Sequence, residues 1–176
     1  MTISIEDLAR QVQVLRDIEE IKKLKHAYFR CIDTANLEEL KTLMHPEVTT
    51  VYIGGSYRIE LKNRDEFIEM IASSFHSECV ARHNGHHPEI DILSETEATA
   101  KWYLHDDFRN YRLMVRTEGT AIYVDRYVKV DGRWLFKHKS YERIYERIER
   151  IQKVPKYTTN TLAVKGRRLP KEEQAK

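Results

Sequence analysis

The stretch ARHNGHHPEI, residues 81–90, places three histidines within five positions: His83, His86 and His87. Imidazole changes its charge near neutral pH and also binds metal ions, so the cluster could serve either purpose. A strand rises ~3.3 Å per residue and alternates faces, which puts His83 and His87 on one face but ~13 Å apart. A zinc ion needs each nitrogen ligand within ~2.1 Å. The spacing therefore argues against a metal site, and no metal is predicted.

We expect the three histidines to have different roles. His86 and His87 stand directly before Pro88, which is typical of a strand edge or a turn, where a histidine is simply solvated. His83 lies within a probable strand, where it is either a proton carrier or a core histidine with its hydrogen bonds satisfied. A proton carrier needs a carboxylate that orients its ring and a donor that polarises the substrate. Both groups must come from elsewhere in the chain.

Two aspartates and a tyrosine are the candidates for those roles. Asp33 ends the run YFRCID at the close of a helical stretch, and Tyr28 precedes it by five residues. On an ideal helix the two side chains point ~140° apart, so they share a pocket only if the helix unwinds near Asp33. Asp106 in WYLHDDF would share a strand face with Trp102 and Leu104. Each candidate also has a purely structural interpretation: Asp33 as a helix-end residue, Tyr28 as a core residue and Asp106 as a solvated residue at the end of a strand.

The first third of the chain reads as two helices and two strands. Apolar residues recur at helical spacing over residues 5–31, which predicts one long amphipathic helix. Asn36 can cap a short second helix, LEELKTLM, that stops before Pro46. The β-branched run VTTVYI predicts a strand, and GGS turns the chain into a second one, YRIEL.

The rest of the chain changes from a helix to strands. Asn63 and Glu66 form a capping-box pattern that opens the helical run RDEFIEMIASSF, and Asp131-Gly132 is a tight hairpin signal. Four strand-like runs follow that helix: PEIDIL, ATAKWYLHDDF, GTAIYVDRYVKV and RWLFKHKSYERIY. This order predicts an α+β domain over residues 1–150, with helices on the concave face of one curved, mostly antiparallel sheet. Residues 151–176 have lost the periodicity and form a basic tail.

Composition and charge exclude several classes of protein. The 176 residues suit one domain, and no apolar run approaches the ~18 residues of a membrane span, so no membrane association is expected. The net charge of +2 divides into +5 from Glu149 onward and −3 for residues 1–148, and an acidic body argues against nucleic acid as a partner. Cys31 and Cys79 lack the spacing of a metal or redox site, so a reducing cytoplasm is the expected location.

No cofactor motif is present in the sequence. YIGGSY lacks the spacing and the following lysine of a phosphate-binding loop, and there is no G-x-S-x-G elbow. The chain therefore offers acid/base groups and a pocket, and no cofactor is predicted.

Several stretches together resemble one known family. The order of elements and the runs DIEEIKKLKHAYFRCID, RHNGHHPEI, KWYLHDDF, VDGRW and YERIYE are similar to the SnoaL-like branch of the nuclear transport factor 2 (NTF2) superfamily. Within that branch they most resemble the bacterial bile acid 7α-dehydratases. The resemblance runs from about Asp17 to Glu146 and leaves the basic tail uncovered. It implies a cone-shaped α+β barrel with an open apolar pocket, usually in dimers or trimers.

The resemblance also implies roles for particular residues. Dehydratases of this family eliminate water without a metal or a cofactor, and each type of residue in their site occurs here. The matching catalytic positions are Tyr28, Asp33, His83 and Asp106, and the matching substrate-binding positions are Tyr52 and Arg143. The chain departs from the dehydratase pattern in residues 108–120 and in VTTVYIGGSYRIEL. Those stretches should line the pocket, so the substrate stays open.

Three functions remain in view. The favoured hypothesis is a cofactor-free dehydratase that removes water from a hydrophobic, steroid- or bile-acid-like ring alcohol, with the His83–Asp33 pair moving the proton. The first alternative is a carbon–carbon lyase that uses the same residues to release formaldehyde from an aromatic lignin-derived diol. The second is a non-catalytic ligand-binding module, in which His83 and Asp33 are only a buried polar pair.

The pattern of the later strands also predicts self-association. In TAIYVDRYVKV, apolar or aromatic side chains are expected on both faces of the strand. Ile122, Val124 and Val128 would lie on one face, and Tyr123 and Tyr127 on the other. One side would face the pocket, and the other would need a partner, because an exposed patch of that size is a solubility hazard. We expect a homo-oligomer, with a trimer ahead of a dimer by resemblance. The tail from Lys153, including Tyr157 and Leu162, would reach across to a neighbour.

Overall fold

The computed structural model describes residues 3–170. The helices in this range are α1 (Ile5–Asp33), α2 (Leu37–Thr42), α3 (Arg64–Ser74) and α4 (Thr161–Lys165). The strands are β1 (Met44–Ile53), β2 (Arg58–Leu61), β3 (Cys79–Ile92), β4 (Glu97–Asn110), β5 (Val115–Val130) and β6 (Arg133–Arg150). No helix in residues 3–170 is long and apolar enough to cross a membrane.

The strands form one curved, unclosed sheet in the order β2-β1-β6-β5-β4-β3. Neighbouring strands are antiparallel except for β1, which runs parallel to β6. Helix α1 packs along the concave face, where its apolar side chains join those of the strands in one core. The predicted α+β class, with a mostly antiparallel sheet around the N-terminal helix, is confirmed.

Two helices begin at the caps that the sequence predicted. The side chain of Asn36 accepts a hydrogen bond from the backbone N–H of Glu39 at the start of α2. Asn63 accepts from the backbone N–H of Glu66 (2.9 Å), and Glu66 accepts from the N–H of Lys62 (2.8 Å). The cap at Asn63 is confirmed, while Glu66 reaches back to the N–H of the residue before the cap instead of the cap's own N–H, which is a variant of the predicted capping box.

The first strand and the last hairpin compare differently with the sequence prediction. Strand β1 begins at Met44, four residues earlier than predicted, and includes Pro46. A register shift between Met44 and Thr49 accommodates the proline, which has no N–H to donate to the ladder. The turn at Asp131 and Gly132 has φ of 50° and 76°, and two positive values are what a tight type I′ hairpin needs. The predicted hairpin is confirmed.

Helix α1 is joined to the sheet by polar contacts as well as by apolar packing. Near its middle, Asp17 accepts from the indole N–H of Trp134 (3.0 Å) and pairs with Lys129. In its last third, Lys25 Nζ donates to Asp125 Oδ2 (2.6 Å). Because this helix carries two of the candidate site residues, these contacts decide where those residues lie against the sheet.

A fully buried cluster of charges lies beneath α1. Lys25, Asp125 and Lys139 have no exposed surface, and Lys139 Nζ lies 3.5 Å from Asp125 Oδ1. Two amines share one carboxylate, so the carboxylate can neutralise only one positive charge. Burial lowers the pKa of both lysines, and that of Lys139 lies well below its usual value. Lys139 is therefore the amine that gives up its proton first.

The segment after β6 packs on its own chain. Helix α4 buries Leu162, which is 1% exposed, and Asn160 Nδ2 donates to the carbonyl of Cys79 (3.2 Å). The hydroxyl of Tyr157 accepts from Arg109 (3.1 Å). Residues 161–165 of the expected tail therefore form a short helix, while contact of the tail with a neighbouring copy stays a prediction.

The buried charge cluster predicts opposite effects for two substitutions. Asp125→Asn leaves buried ammonium charge without its anion and is expected to lower the free energy of unfolding by ~3–5 kcal/mol. Lys139→Met removes the surplus amine and is expected to be neutral or to stabilise by up to ~4 kcal/mol. Chemical denaturation of both variants measures this contrast, and equal losses of stability in the two would contradict it.

The same cluster predicts a pH dependence. Between the lowered pKa of Lys139 and its ordinary value of 10.5, the unfolded chain binds more protons than the folded chain, so stability rises with pH. Lys139→Met lacks that contribution. The stability gained by Lys139→Met is therefore expected to shrink as the pH rises through this window, and denaturation curves at several pH values test it. A gain that is the same at every pH would rule the assignment out.

Exposed apolar side chains on the outer face of the sheet lead us to predict that the protein self-associates. Val124 is 44% exposed there, and beside it a shallow groove is walled by Val51, Ile53 and Ile122. Burial of such a patch against a second copy removes apolar surface from water. Light scattering at micromolar concentration is expected to give a multiple of 21.0 kDa, and Val124→Lys is expected to lower the mass. A monomer of the unsubstituted chain under these conditions would disprove the prediction.

Candidate active site

A pocket opens between α1, α3 and the concave face of the sheet. Its volume is about 340 Å³, within the ~300–1,000 Å³ typical of small-molecule sites. Aromatic and aliphatic side chains form most of its wall. Besides tyrosines, the described part of the chain contributes four ionisable side chains to it: His83, Asp106, Arg143 and Glu146. The pocket can hold an apolar ligand that meets a few polar groups.

His83 and Asp33 lie together at the wall of this pocket. The Nδ1–H of His83 donates to Asp33 Oδ1 (2.6 Å), and the backbone N–H of His83 donates to Asp33 Oδ2 (3.0 Å). A carboxylate accepts hydrogen bonds, so this contact places the proton of a neutral imidazole on Nδ1. The lone pair on Nε2 is then available to a ligand. The structure thus brings together the two residues that the sequence analysis paired.

Asp33 reaches His83 from outside the pocket. Helix α1 stays regular through Asp33, so the unwinding that would let Asp33 and Tyr28 share a pocket does not occur. Tyr28 lines the pocket and Asp33 does not. Strand β3 is an edge of the sheet, and Asp33 satisfies a backbone N–H on that edge. The carboxylate therefore acts on the ring from behind, without contacting a ligand.

Aromatic packing holds the ring of His83 in one orientation. Phe29 stacks on it with ring centroids 6.0 Å apart, and Phe75 packs against it at 5.4 Å. Gly85 permits the close approach of Phe29, because a Cβ at that position would lie 2.4 Å from the phenyl ring. The imidazole is thus fixed both by a carboxylate and by its aromatic neighbours.

Tyr28 and Tyr52 meet at the deep end of the pocket. Their hydroxyls lie 3.0 Å apart, and the two side chains are 1% and 4% exposed. Burial raises the pKa of both phenols well above the usual value, since the charged phenolate is disfavoured away from water. Both tyrosines therefore stay protonated at physiological pH, and they can donate hydrogen bonds rather than act as bases.

Asp106 and Arg143 form a bidentate ion pair inside the pocket. Arg143 Nη1 donates to Asp106 Oδ1 (2.5 Å) and Nη2 donates to Oδ2 (2.8 Å). Burial disfavours the charged guanidinium, but its bonds to Asp106 outweigh this and raise the pKa of Arg143. Asp106 shares its strand face with the buried Trp102 and Leu104, as predicted. The pair forms a fixed polar part of the pocket wall, and Asp106 is the partner of His83 in the pairing of β3 with β4.

His86 and His87 lie away from this site. Both are exposed, and a register shift in the pairing of β3 with β4 falls between His86 and Glu89. His87 has a positive φ of 48° at this irregularity. The prediction that these two histidines lie solvated at a strand edge is confirmed. In residues 3–170, no group of three His, Cys, Asp or Glu side chains could hold a metal ion.

Two further tyrosines reach the pocket that the sequence analysis did not single out. The hydroxyls of Tyr57 and Tyr141 lie 2.7 Å apart, and Tyr141 stacks on Tyr52 with centroids 4.2 Å apart. Tyr57 also accepts from Nε of Arg143 (3.4 Å). Alternation along YERIYE could have identified Tyr141, because it is two residues before Arg143 on the same strand.

The sequence pattern did not identify Glu146 as a residue of the pocket. Strict alternation from Tyr141 and Arg143 would place Glu146 on the outer face of the sheet. The pairing of β6 with β5 passes over Ile144, so a one-residue bulge reverses the two faces. Glu146 and Ile148 consequently line the pocket. A bulge of this kind has no reliable signal in a single sequence.

The fold of this chain is similar to the folds of several solved structures. It is similar to a candidate scytalone dehydratase from Novosphingobium aromaticivorans, with a TM-score of 0.68 and 22% identity over 78% of this chain and 90% of that chain. It is also similar to a hexachlorocyclohexane dehydrochlorinase from Novosphingobium barchaimii, with a TM-score of 0.70 and 14% identity over 83% and 99%. An NTF2-like protein with a cystatin-like fold from N. aromaticivorans gives 0.62 and 15% over 82% and 92%.

These likenesses at low identity establish a common fold, and they confirm the NTF2-like architecture that the sequence resemblance implied. The family is established by the sequence match itself. The model of the SnoaL-like domain family matches residues 13–140, which include α1 from residue 13 onward, the whole of β1 to β5 and the first part of β6. The chain therefore belongs to the SnoaL-like domain family.

Proposed function

We propose that this protein is a cofactor-independent lyase, and specifically a dehydratase that removes water from a hydrophobic ring alcohol. The observation that carries the proposal is the position of His83, whose Nδ1 is bound to Asp33 while its ring lines an apolar pocket. A histidine fixed in this way is suited to accept and return a proton near neutral pH.

The proton would move through Nε2 of His83. Asp33 holds the neutral ring with its proton on Nδ1, so Nε2 can remove a proton from a carbon next to a carbonyl group. The C–H electrons form the new C=C bond as the neighbouring C–O bond breaks. The hydroxide that leaves takes a proton from the imidazolium, which restores the neutral ring and gives water. Asp33 stabilises the imidazolium between these two steps.

Charge that develops on the substrate oxygen needs hydrogen-bond donors. The hydroxyls of Tyr28 and Tyr52 share one hydrogen bond, so one phenol donates to the other and the pair keeps one O–H for the substrate oxygen. Asp106 and Arg143 would hold the polar end of the substrate as one unit, because both Nη groups of the guanidinium are already bound to the carboxylate. These roles need neither a metal ion nor a redox cofactor.

The volume of the pocket limits the size of the substrate. A cavity of about 340 Å³ lies at the lower end of the ~300–1,000 Å³ range of small-molecule sites. Its mostly aromatic and aliphatic wall suits a hydrophobic ring compound.

The structural neighbours are consistent with elimination chemistry. One is named as a candidate scytalone dehydratase and another as a hexachlorocyclohexane dehydrochlorinase, so both names describe the removal of a small molecule, one water and the other hydrogen chloride. The chemistry proposed for this chain belongs to the same class. Products decide between the alternatives: water is lost in dehydration, formaldehyde is released in carbon–carbon cleavage, and a ligand-binding module returns the compound unchanged.

Replacement of His83 tests the proposal directly. His83→Ala is expected to lower kcat on a ring alcohol that the unsubstituted protein dehydrates by ~10²–10⁴, because one acid/base group is lost. His86→Ala is the matched control, since His86 is an exposed histidine three residues along the same strand, and it should keep full activity. Mass spectrometry of the product follows the loss of water. Turnover by His83→Ala at the unsubstituted rate would refute the proposed role.

Replacement of Asp33 tests how the histidine is held. Asp33→Asn keeps the shape of the side chain but offers an amide donor to Nδ1, which favours the tautomer with its proton on Nε2. We expect kcat to fall by at least ~10², with a smaller change in KM, because Asp33 does not line the pocket. Steady-state kinetics with the same substrate measure both. An unchanged kcat would show that the carboxylate does not orient a catalytic ring.

A further inference from the structure

Glu146 lies in the same transverse row of the sheet as the candidate catalytic histidine. His83 is paired with Asp106 across β3 and β4, Asp106 with Gly119 across β4 and β5, and Gly119 with Glu146 across β5 and β6. Paired residues project to the same face, and three strand spacings of ~4.8 Å separate the ends of the row by ~14 Å. His83 and Glu146 therefore face one cavity from opposite ends.

Gly119 leaves the middle of this row open. A Cβ at this position would lie 2.4 Å from the carbonyl oxygen of Tyr145 and 3.4 Å from Nη1 of Arg143. The backbone of β6 approaches closely here, next to the bulge at Ile144 that turns Glu146 inward. The guanidinium of Arg143 occupies the space over the glycine, between the two acidic side chains of the row.

One oxygen of Glu146 has no hydrogen-bond partner among the described residues. Its side chain is only 8% exposed. Oε1 accepts from the backbone N–H of Gly55 (3.3 Å), whereas Oε2 is buried and accepts no hydrogen bond, although Nε of Arg143 lies within ion-pair range at 3.6 Å. A buried carboxylate oxygen left in this state is costly unless a ligand supplies the missing donor. The orphaned atom belongs to a residue that lines the pocket.

The charges at this end of the pocket do not cancel. Both Nη groups of Arg143 are bound to Asp106, and its Nε donates to Tyr57 (3.4 Å). One guanidinium thus faces two carboxylates, Asp106 and Glu146, and the set has one negative charge in excess. The two Nη groups of the arginine therefore cannot also bind a carboxylate or phosphate of a substrate in a bidentate manner. The excess negative charge would repel an anionic substrate.

We propose that Glu146 is a specificity-determining residue, whose Oε2 accepts a hydrogen bond from a hydroxyl group at the end of the substrate remote from His83, and that the site selects neutral hydroxylated ring compounds over anionic ones. The inference deepens the proposed function, on which the identification of the ligand as a ring alcohol rests. It concerns binding, so it is testable without turnover.

Three naphthalene probes separate the contributions to binding. 2-Naphthol is neutral and offers a hydroxyl donor, 2-methoxynaphthalene lacks the donor, and 2-naphthoate carries a negative charge at neutral pH. Titration calorimetry at pH 7 with the unsubstituted protein is expected to give 2-naphthol about tenfold or more tighter binding than its methyl ether, as for a hydrogen bond to a charged acceptor. 2-Naphthoate is expected to bind more weakly than either neutral probe.

Two variants of Glu146 test which residue causes this preference. Glu146→Gln removes the charge, and Glu146→Leu removes the acceptor as well. Both variants are expected to reduce the ratio of the affinities for 2-naphthol and for the ether, and in Glu146→Leu this ratio is expected to be about one. Both are also expected to bind 2-naphthoate more tightly than the unsubstituted protein does. Glu142→Gln is the control, because Glu142 is an exposed glutamate on the same strand and should leave all three affinities unchanged. Thermal unfolding checks that the variants are folded.

The outcomes keep the two proposals apart. If 2-naphthol does not bind, or if its preference over the ether is the same in all Glu146 variants, the role of Glu146 is disproved even when ring alcohols are dehydrated. If the preference depends on Glu146 but no ring alcohol is turned over, the specificity role stands and the proposed lyase activity fails. His83→Ala is expected to retain the dependence of binding on Glu146, since it alters the opposite end of the row.

Discussion

Helix α1 is held against the sheet by three polar contacts, and the candidate site depends on all of them. Asp17 binds Trp134, Lys25 binds Asp125 and Asp33 binds His83. These side chains of α1 follow one another at intervals of eight residues, or about 12 Å along a helix axis. Apolar packing alone tolerates a small slide or rotation, but a displaced helix here would leave buried charges unpaired, which is far more costly. The contacts thus fix the helix in position and in rotation.

This constraint gives the two ends of the pocket different characters. At the α1 end, the carboxylate and aromatic rings hold one imidazole in place, and buried tyrosines add neutral donors. At the β6 end, Arg143 lies between Asp106 and the inward-turned Glu146. A ligand that spans the pocket meets a proton carrier at one end and an excess of acceptors at the other. Apolar walls between these ends make the surroundings less polar than bulk water, which strengthens both sets of electrostatic contacts.

The fold was predictable wherever a few neighbouring residues carry the signal. The helix cap at Asn63 and the turn at Asp131-Gly132 appear in the structure as the sequence predicted, because both depend on local backbone chemistry. Helix α4, by contrast, was not predicted. Helix α4 is short and its single buried anchor, Leu162, gains a partner only once β3 is in place. Short helices draw their stability from tertiary packing, which the sequence pattern does not contain.

By itself, the sequence determined the residue types of the site, the periodicities of its helix and strands and the resemblance that paired His83 with Asp33. Only the tertiary structure decided how these groups act. It placed Asp33 behind the pocket wall instead of within it, committed both Nη groups of Arg143 to Asp106 and turned Glu146 inward through a bulge at Ile144. A one-residue bulge exchanges the faces of every residue that follows it, and pairing with β5 determines where the bulge falls. That pairing joins residues distant in sequence, so no local pattern encodes it.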